Sequence, residues 1–218
     1  MAMTRLPKAK IGILALLVLS GIASASLDEI ILEDFANAVH EWKEMNDPVM
    51  GGQSTGTFHK ANGVGVFHGV VKDVPFLHAP GFIQVRTTDT VTWPDVTTCH
   101  ALQLQVRSAD PYTGYRVSFG TTHAPGGKFY ARGYKANLPT VSSSSSDDFE
   151  MIEIAFSEFT DFWDDATGEP IHTCKENELY CPDTMTLKNL KTMAFWGEGV
   201  NGKVSLEIKS VRAVGCAE

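Results

Sequence analysis

The feature of the sequence that most limits its fold is an alternation of apolar and polar residues with a period of two. Residues 102–107 read Leu-Gln-Leu-Gln-Val-Arg, and residues 204–208 read Val-Ser-Leu-Glu-Ile. Residues 152–156 follow the same pattern, with Ile, Ile and Phe at every second position. Successive side chains of a strand point to opposite faces, so this pattern predicts strands with one buried face and one wet face. We expect the last strand to continue to Val211 and Val214 after a bulge or bend.

Several other short runs are rich in β-branched and aromatic residues and are separated by turn-forming Gly, Pro, Asn and Asp. These runs are Val64–Val71, Phe82–Thr87, Tyr115–Gly120, Phe129–Tyr134 and Thr192–Trp196. The helix candidates are short, at Asp28–Phe35 and Ser157–Trp163. About eight short strands with little helical periodicity predict an all-β fold, a two-sheet sandwich or jelly roll.

Residues 1–25 predict a secretory signal peptide. Three basic residues precede an apolar run at residues 11–23, which is short for a membrane span. The small residues at 23–25 then fit a signal peptidase site. We therefore expect a mature chain, residues 26–218, that forms a single domain in the ER lumen or outside the cell, without stable membrane insertion. A mitochondrial location is the alternative.

The charge balance argues against polyanionic partners. The whole chain has 18 Lys and Arg against 26 Asp and Glu, a net charge of −8. Cleavage of the signal would remove three of the basic residues and leave a net charge of about −11. A nucleic acid or an anionic membrane surface requires a basic face, so neither is the expected main partner.

The four cysteines, an even number in an oxidising route, predict two disulfides. Cys174 and Cys181 bracket a short polar loop, which makes that pair the easiest to close. Cys99 and Cys216 then form the second pair. A zinc site is the alternative, but the spacing is unlike that of zinc-binding cysteines.

The segment from Trp42 to Phe58 is unlike an ordinary strand or helix. Its centre, residues 46–54, reads Asn-Asp-Pro-Val-Met-Gly-Gly-Gln-Ser. Pro48 fixes one backbone angle, and the two glycines allow angles that other residues avoid. Such a polar turn can satisfy its own backbone with side-chain hydrogen bonds. It can equally present Asn, Asp and Gln to a ligand, because binding residues favour loops on rigid scaffolds.

No catalytic motif or metal-ligand spacing is found in the sequence, so we name no catalytic residue, no metal ligand and no cofactor. The acid-rich stretch Asp161–Glu169 lacks the EF-hand spacing, and a structural Ca²⁺ there stays an open alternative. The aromatic residues give a further clue to binding. Trp93, Trp163 and Trp196 fall near predicted strand ends, where they would either fill the ends of the core or serve as stacking platforms.

The run at residues 46–54, preceded by a Trp, resembles the N-terminal signature of the complex I intermediate-associated protein 30 family. Weaker likenesses follow in the expected order: Gly81-Phe82 with Val85-Arg86, the strand at 102–107, Tyr130-Ala131, residues 156–159 and residues 206–214. The resemblance implies a galactose-binding-like jelly roll, usually without recognised catalytic residues. The family's mitochondrial members are assembly chaperones of respiratory complex I. The apparent secretory signal and the cysteines depart from that mitochondrial type.

Together these features predict a non-catalytic binding or assembly module that recognises a protein or a glycan. The candidate binding residues are Asn46, Asp47, Gly51, Gly52, Gln53, Ser54, Arg86 and Trp196. The alternative is a secreted carbohydrate-active enzyme that uses carboxylates on its loops.

Overall fold

A computed structural model of the chain describes residues 28–123, 131–141, 148–164 and 167–217. The predicted signal peptide and Tyr130 lie outside these ranges. Most of the strands in the described residues belong to two antiparallel sheets. The predicted all-β sandwich is therefore confirmed.

The first sheet has six strands and is called the six-stranded sheet. Its strands are β1 (Glu29–Asp34), β3 (Thr55–Ala61), β4 (Val64–Val71), β8 (Ala101–Ser108), β11 (Glu150–Ala155) and β15 (Gly202–Val214). Its spatial order is β11-β8-β15-β4-β3, and β1 pairs with β15.

The second sheet is the five-stranded sheet. Its strands are β2 (Trp42–Asn46), β7 (Phe82–Thr87), β9 (Tyr115–His123), β10 (Ala131–Asn137) and β14 (Thr192–Glu198). Its spatial order is β10-β9-β14-β7-β2, so β14 lies at the centre between β9 and β7.

The loops contain several short elements. They are the strand pairs β5 (Asp73–Val74) with β6 (Ala79–Pro80) and β12 (Trp163–Asp164) with β13 (Glu169–Pro170), the helix α1 (Thr184–Lys188), and 3₁₀ turns at Asp47–Met50, Phe156–Glu158 and Glu178–Tyr180. None of the helices within the described ranges is long and apolar enough to cross a membrane.

The core lies between the two sheets and is formed by the alternating apolar residues. Phe67, Leu104 and Ile208 enter it from the six-stranded sheet, and Val85 and Phe195 enter it from the five-stranded sheet. Each of these five side chains is fully buried. Burial of a side chain of this size contributes about 1.5–3 kcal/mol of transfer free energy.

Most predicted strands are confirmed, and two segments are corrected. The strands at Val64–Val71 and Phe82–Thr87 have the predicted bounds, and β15 continues past a bulge after Ile208. The helix predicted at Asp28–Phe35 is wrong, because that segment forms β1 and pairs along β15. The segment Trp42–Phe58 also contains ordinary strands, β2 and the start of β3, on either side of its turn.

Both predicted disulfides are present. Cys174 is bonded to Cys181, and Cys99 is bonded to Cys216 across 117 residues of sequence. The zinc alternative for these cysteines is therefore wrong. The longer crosslink joins the chain's last residues to the loop before β8, and it constrains the unfolded chain far more than the short one.

Candidate functional site

The face of the five-stranded sheet that points away from the core carries most of the unusual polar chemistry. Ile83, Val85, Val117, Met193 and Phe195 point into the core, so the residues between them point outward. We call this surface the outer face. It consists of Lys43, Met45, Phe82, Gln84, Arg86, Arg116, Ser118, Lys135, Asn137, Thr192, Ala194, Trp196 and Glu198.

Strand register arranges the outer face in rows that run across the strands. One row is Lys43, Arg86, Ala194, Ser118 and Lys135. The next row, two residues along each strand, is Met45, Gln84, Trp196, Arg116 and Asn137. Arg86 and Trp196, both candidate binding residues, therefore lie in adjacent rows of the same surface.

Several polar side chains on the outer face are buried without hydrogen-bond partners. Gln84 is 0% exposed, and neither its amide nitrogen nor its amide oxygen is bonded within the described part of the chain. The same is true of the Thr192 hydroxyl and of Arg116 Nε. Leaving a buried polar group unsatisfied costs about 1–3 kcal/mol. These side chains therefore lower the stability of the fold, and a role in binding would explain their presence. Burial also lowers the pKa of Arg86, because the charged guanidinium loses hydration.

Two indole rings flank the ammonium group of Lys135. Its Nζ lies 4.5 Å from the ring centroid of Trp163 and 4.9 Å from that of Trp196. The same Nζ is 2.6 Å from a carboxylate oxygen of Glu198, and both partners are only 10–12% exposed. Trp196 Nε1 donates to Ser118 Oγ at 2.8 Å. The two rings are thus held by cation–π contacts, an ion pair and a hydrogen bond.

The loop that carries β12 and β13 borders the outer face. Lys135 and Thr160 exchange backbone hydrogen bonds of 2.9 and 3.0 Å, which attaches this loop to the edge strand β10. Arg116 Nη2 lies 3.4 Å from Glu169 on the same loop. Trp163 Nε1 donates to the carbonyl of Thr160, which fixes the ring at this edge.

The Asp47 loop, residues 46–54, lies at the end of the outer face. Asp47 is only 1% exposed and accepts hydrogen bonds from Ser54 N at 2.8 Å, from Ser54 Oγ, and from Phe82 N at 3.2 Å. The carboxylate oxygens of Asp47 therefore serve Ser54 and the start of β7. Ser54 is likewise fully buried.

The packing around Asp47 explains why residues 52 and 81 are glycines. A Cβ on Gly52 or on Gly81 would overlap the Asp47 carboxylate. Gly51 has a φ of 82°, which favours glycine. The motif that most characterises the sequence therefore encloses a buried carboxylate, and it ties the β2–β3 connection to β7.

The remaining residues of the Asp47 loop differ in exposure. Gln53 is exposed, whereas Asn46 is half-buried and donates from Nδ2 to the carbonyl of Gly56 at 2.9 Å. A small cavity of about 40 Å³ lies between the loop and the outer face, lined in part by Asp47, Phe82 and Glu198. A direct contact of the loop with a ligand stays a prediction, and Gln53 is its accessible candidate.

Gln84, Lys135, Glu198 and Trp163 belong to this site, although sequence analysis did not select the first three. Gln84 could have been found, because it alternates with Ile83 and Val85 inside a strand that was predicted correctly. The pairing of Lys135 with Glu198 joins residues 63 positions apart and depends on tertiary structure. Trp93, in contrast, is buried in the core and stacks on His40 with ring centroids 3.8 Å apart.

Within the residues described, no group of three or more His, Cys, Asp or Glu side chains is arranged to hold a metal ion. The carboxylates of the outer face serve instead as partners of cations: Glu198 pairs with Lys135, and Glu169 pairs with Arg116. The chemistry offered by the surface is therefore hydrogen bonding and stacking.

Two solved structures with a similar architecture are carbohydrate-binding modules. A family 11 carbohydrate-binding module from Clostridium thermocellum, in complex with a β-1,3-1,4-mixed-linked tetrasaccharide, superposes with a TM-score of 0.56 and 16% identity, over 87% of this chain and 97% of that one. The family 11 module of a cellulosomal cellulase from the same organism gives the same TM-score and identity, over 87% and 96% of the two chains. At this level of identity the likeness shows the fold.

Sequence comparison identifies the family. No curated protein is significantly similar in sequence to the chain. The sequence pattern of the family described as Complex I intermediate-associated protein 30 matches residues 33–208, which include most of both sheets and the whole Asp47 loop. The chain belongs to the complex I intermediate-associated protein 30 family.

Proposed function

We propose that the protein is a non-catalytic binding module that holds a glycan on the outer face of its five-stranded sheet. The observation that carries this proposal is the pair of fixed indole rings, Trp163 and Trp196, next to the buried, unpartnered amide of Gln84. A sugar ring has an apolar face of C–H groups and an edge of hydroxyls. It therefore suits a surface that combines aromatic rings with amide donors and acceptors.

The rigidity of the aromatic pair supports this role. Lys135 lies between the rings, Glu198 holds Lys135, and Ser118 accepts the Trp196 N–H. A surface that is ordered before its ligand arrives loses less conformational entropy on binding. Both indoles are half-buried, so part of each ring is accessible.

The use of the carboxylates supports binding over hydrolysis. A glycosidase needs one free carboxylic acid and one free carboxylate on opposite sides of the scissile bond. On the outer face Glu198 is 2.6 Å from Lys135, so its charge is occupied in holding the aromatic pair.

The solved structures of similar fold suggest which class of ligand to test first. One of them was solved with a β-1,3-1,4-mixed-linked tetrasaccharide, and that sugar class is carried here to this chain as part of the proposal. The two disulfides suit an oxidising compartment, and we propose the secretory pathway as the location.

The test is calorimetric titration of the mature chain with oligosaccharides from a panel of neutral and acidic polysaccharides, including mixed-linkage β-glucan. We expect at least one ligand to bind, and we expect Trp196→Ala to weaken that binding at least tenfold, as loss of a central Trp usually does. The matched control is Phe149→Ala, because Phe149 makes the same kind of cation–π contact on the other sheet, 4.7 Å from Arg107. Equal losses for the two variants, or no binding to any glycan, would contradict the proposal.

A further inference from the structure

A cleft of about 550 Å³ lies at the edge of the sandwich, and we call it the edge cleft. Its walls come from the end strands of both sheets, β10 and β11, and from the loop that carries β12 and β13. Pockets that hold small ligands have volumes of about 300–1,000 Å³, so the edge cleft is large enough for one. Its lining includes Asn137, Pro139, Glu153, Ser157, Trp163 and Lys175.

The edge cleft combines apolar surface with groups that bond to hydroxyls. The indole of Trp163 supplies an aromatic wall, and the exposed side chains of Asn137 and Ser157 supply an amide and a hydroxyl. Glu158 and Lys175, which also line the cleft, lie 2.7 Å apart, so each compensates the charge of the other. The cleft therefore suits an uncharged ligand that is rich in hydroxyls and has apolar faces, which describes a neutral sugar.

Asn137 joins the edge cleft to the outer face. Trp196 pairs with Arg116 on β9, and Arg116 pairs with Asn137 on β10, so the three residues form one row across the strands. Neighbouring strands are about 4.8 Å apart, which places Asn137 about 10 Å from Trp196. Because Asn137 also lines the cleft, this row of the outer face ends at the cleft.

Trp163 is the second residue that belongs to both surfaces. Its ring centroid lies 4.5 Å from Lys135 Nζ on the outer face, and the same residue lines the edge cleft. The indole N–H donates to the carbonyl of Thr160, so the ring is fixed in place and offers its faces to a ligand. A sugar chain that stacks beside Trp163 on the outer face is thereby brought to the mouth of the cleft.

We propose that the glycan held on the outer face continues past Trp163 into the edge cleft, which binds further sugar units of the same chain. This inference rests on the proposed function. Asn137 and Ser157 are the residues assigned to the hydroxyls of these further units. Units linked in one chain lose their translational freedom only once, so filling a second, contiguous site raises the affinity for long oligosaccharides.

The experiment is calorimetric titration of residues 26–218 with oligosaccharides of two and of eight units prepared from mixed-linkage β-glucan. The short ligand can occupy the aromatic pair alone, whereas the long one can also reach the edge cleft. We expect the eight-unit ligand to bind at least tenfold more tightly than the two-unit ligand. Equal affinity for the two lengths would overturn the inference.

Ser157→Trp tests where the added affinity arises, because a bulky indole at this exposed position fills part of the edge cleft. We expect it to weaken binding of the eight-unit ligand at least fivefold and to change binding of the two-unit ligand less than twofold. Thr57→Trp is the matched control, because Thr57 is an exposed residue on β3 of the other sheet. Equal effects of the two substitutions on the eight-unit ligand would contradict the inference.

Asn137→Ala is a second and milder variant. Substitution of an exposed side chain usually changes stability by less than about 0.5 kcal/mol, so this variant keeps the test valid even if Ser157→Trp fails to fold. We expect it to weaken binding of the eight-unit ligand at least threefold, and unchanged binding would count against the assigned path.

The failures of this inference and of the proposed function are distinguishable. Normal binding of long ligands by Ser157→Trp and Asn137→Ala removes the edge cleft from the site and leaves the outer face in place. Absence of binding at both lengths also overturns the inference. The titration with the full panel of polysaccharides then decides separately whether the outer face binds a glycan.

Discussion

The outer surfaces of the two sheets have similar residues but use them differently. On the six-stranded sheet, Arg107 pairs with Glu207 at 2.7 Å and Arg212 pairs with Glu29 at 2.9 Å, and all four side chains are 27–44% exposed. Gln103, in the same sheet, is half-buried. Apart from Arg212 Nε, which is buried without a hydrogen-bond partner, the polar groups named here meet water or each other.

On the five-stranded sheet the corresponding groups are buried. The ion pair of Lys135 and Glu198 is only 10–12% exposed, and Gln84 is fully buried. A buried polar group lowers stability unless it is satisfied. The alternation of apolar and polar residues along a strand does not distinguish a solvent-exposed face from a binding site. Burial of the polar side chains does distinguish them.

The largest effect on stability is expected at the rim of the site. Asp47→Ala removes a buried acceptor that serves Ser54 twice and Phe82 once, so we predict a loss of about 3 kcal/mol in the free energy of unfolding. Urea denaturation of residues 26–218 measures this loss. Asp34→Ala is the control, because Asp34 accepts an exposed bond from Ala36 N, and we predict a loss of about 1 kcal/mol or less. A similar loss in both variants would contradict the structural role of Asp47.

The two ion pairs test the comparison of the sheets directly. We predict that Glu198→Gln lowers the free energy of unfolding by about 2 kcal/mol, because it leaves the Lys135 charge buried without its carboxylate. We predict that Glu207→Gln on the other sheet lowers it by about 0.5 kcal/mol, as expected for a more exposed pair. Thermal and urea unfolding of both variants would check this. A larger loss for Glu207→Gln would reverse the comparison.

Gln84 offers a test in which stability and binding move in opposite directions. Gln84→Met keeps the volume but removes two unsatisfied buried polar groups, so we predict a gain of about 1 kcal/mol in stability. The same change should weaken glycan binding, because the amide is lost. Gln103→Met on the other sheet should change neither quantity appreciably. A Gln84→Met variant that is less stable, or that binds normally, would show that the amide has no reserved role.

The smallest effect on stability is expected at the exposed tip of the Asp47 loop. We predict that Gln53→Ala changes the free energy of unfolding by less than about 0.5 kcal/mol, as surface substitutions usually do. We also predict that it reduces glycan affinity, since Gln53 is the accessible polar side chain of this loop. Normal binding by Gln53→Ala would leave the Asp47 loop with an architectural role alone.

Sequence patterns predicted the strands well where the alternation was long. Residues 102–107 and 204–208 alternate because one face is in the core, and both are strands with the expected continuation past a bulge. The short helix expected at Asp28–Phe35 is instead the strand β1. The pairing of β1 along β15 joins residues 29–34 to residues 210–214, and this tertiary contact overrides local preference.

The site was predicted only in part. Arg86 and Trp196 lie on the outer face, and the Asp47 loop lies at its end. Asp47 and Ser54 are buried, and the sequence did not reveal this. A polar turn has the same residue types whether it faces a ligand or the protein interior. The contribution of Lys135 and Glu198 depends on the order β10-β9-β14, which places their strands together and which no local pattern contains.

The four tryptophans allow the most direct measurement of the central claim. In an NMR titration of ¹⁵N-labelled protein with the best-binding oligosaccharide, each indole N–H gives its own signal. We predict that the signals of Trp163 and Trp196 shift and saturate with the ligand. The signals of Trp42, whose Nε1 donates to Glu33, and of Trp93, which is buried in the core, should stay in place. Saturable binding that leaves the Trp163 and Trp196 signals unmoved would contradict the account, because the glycan would then lie elsewhere on the molecule.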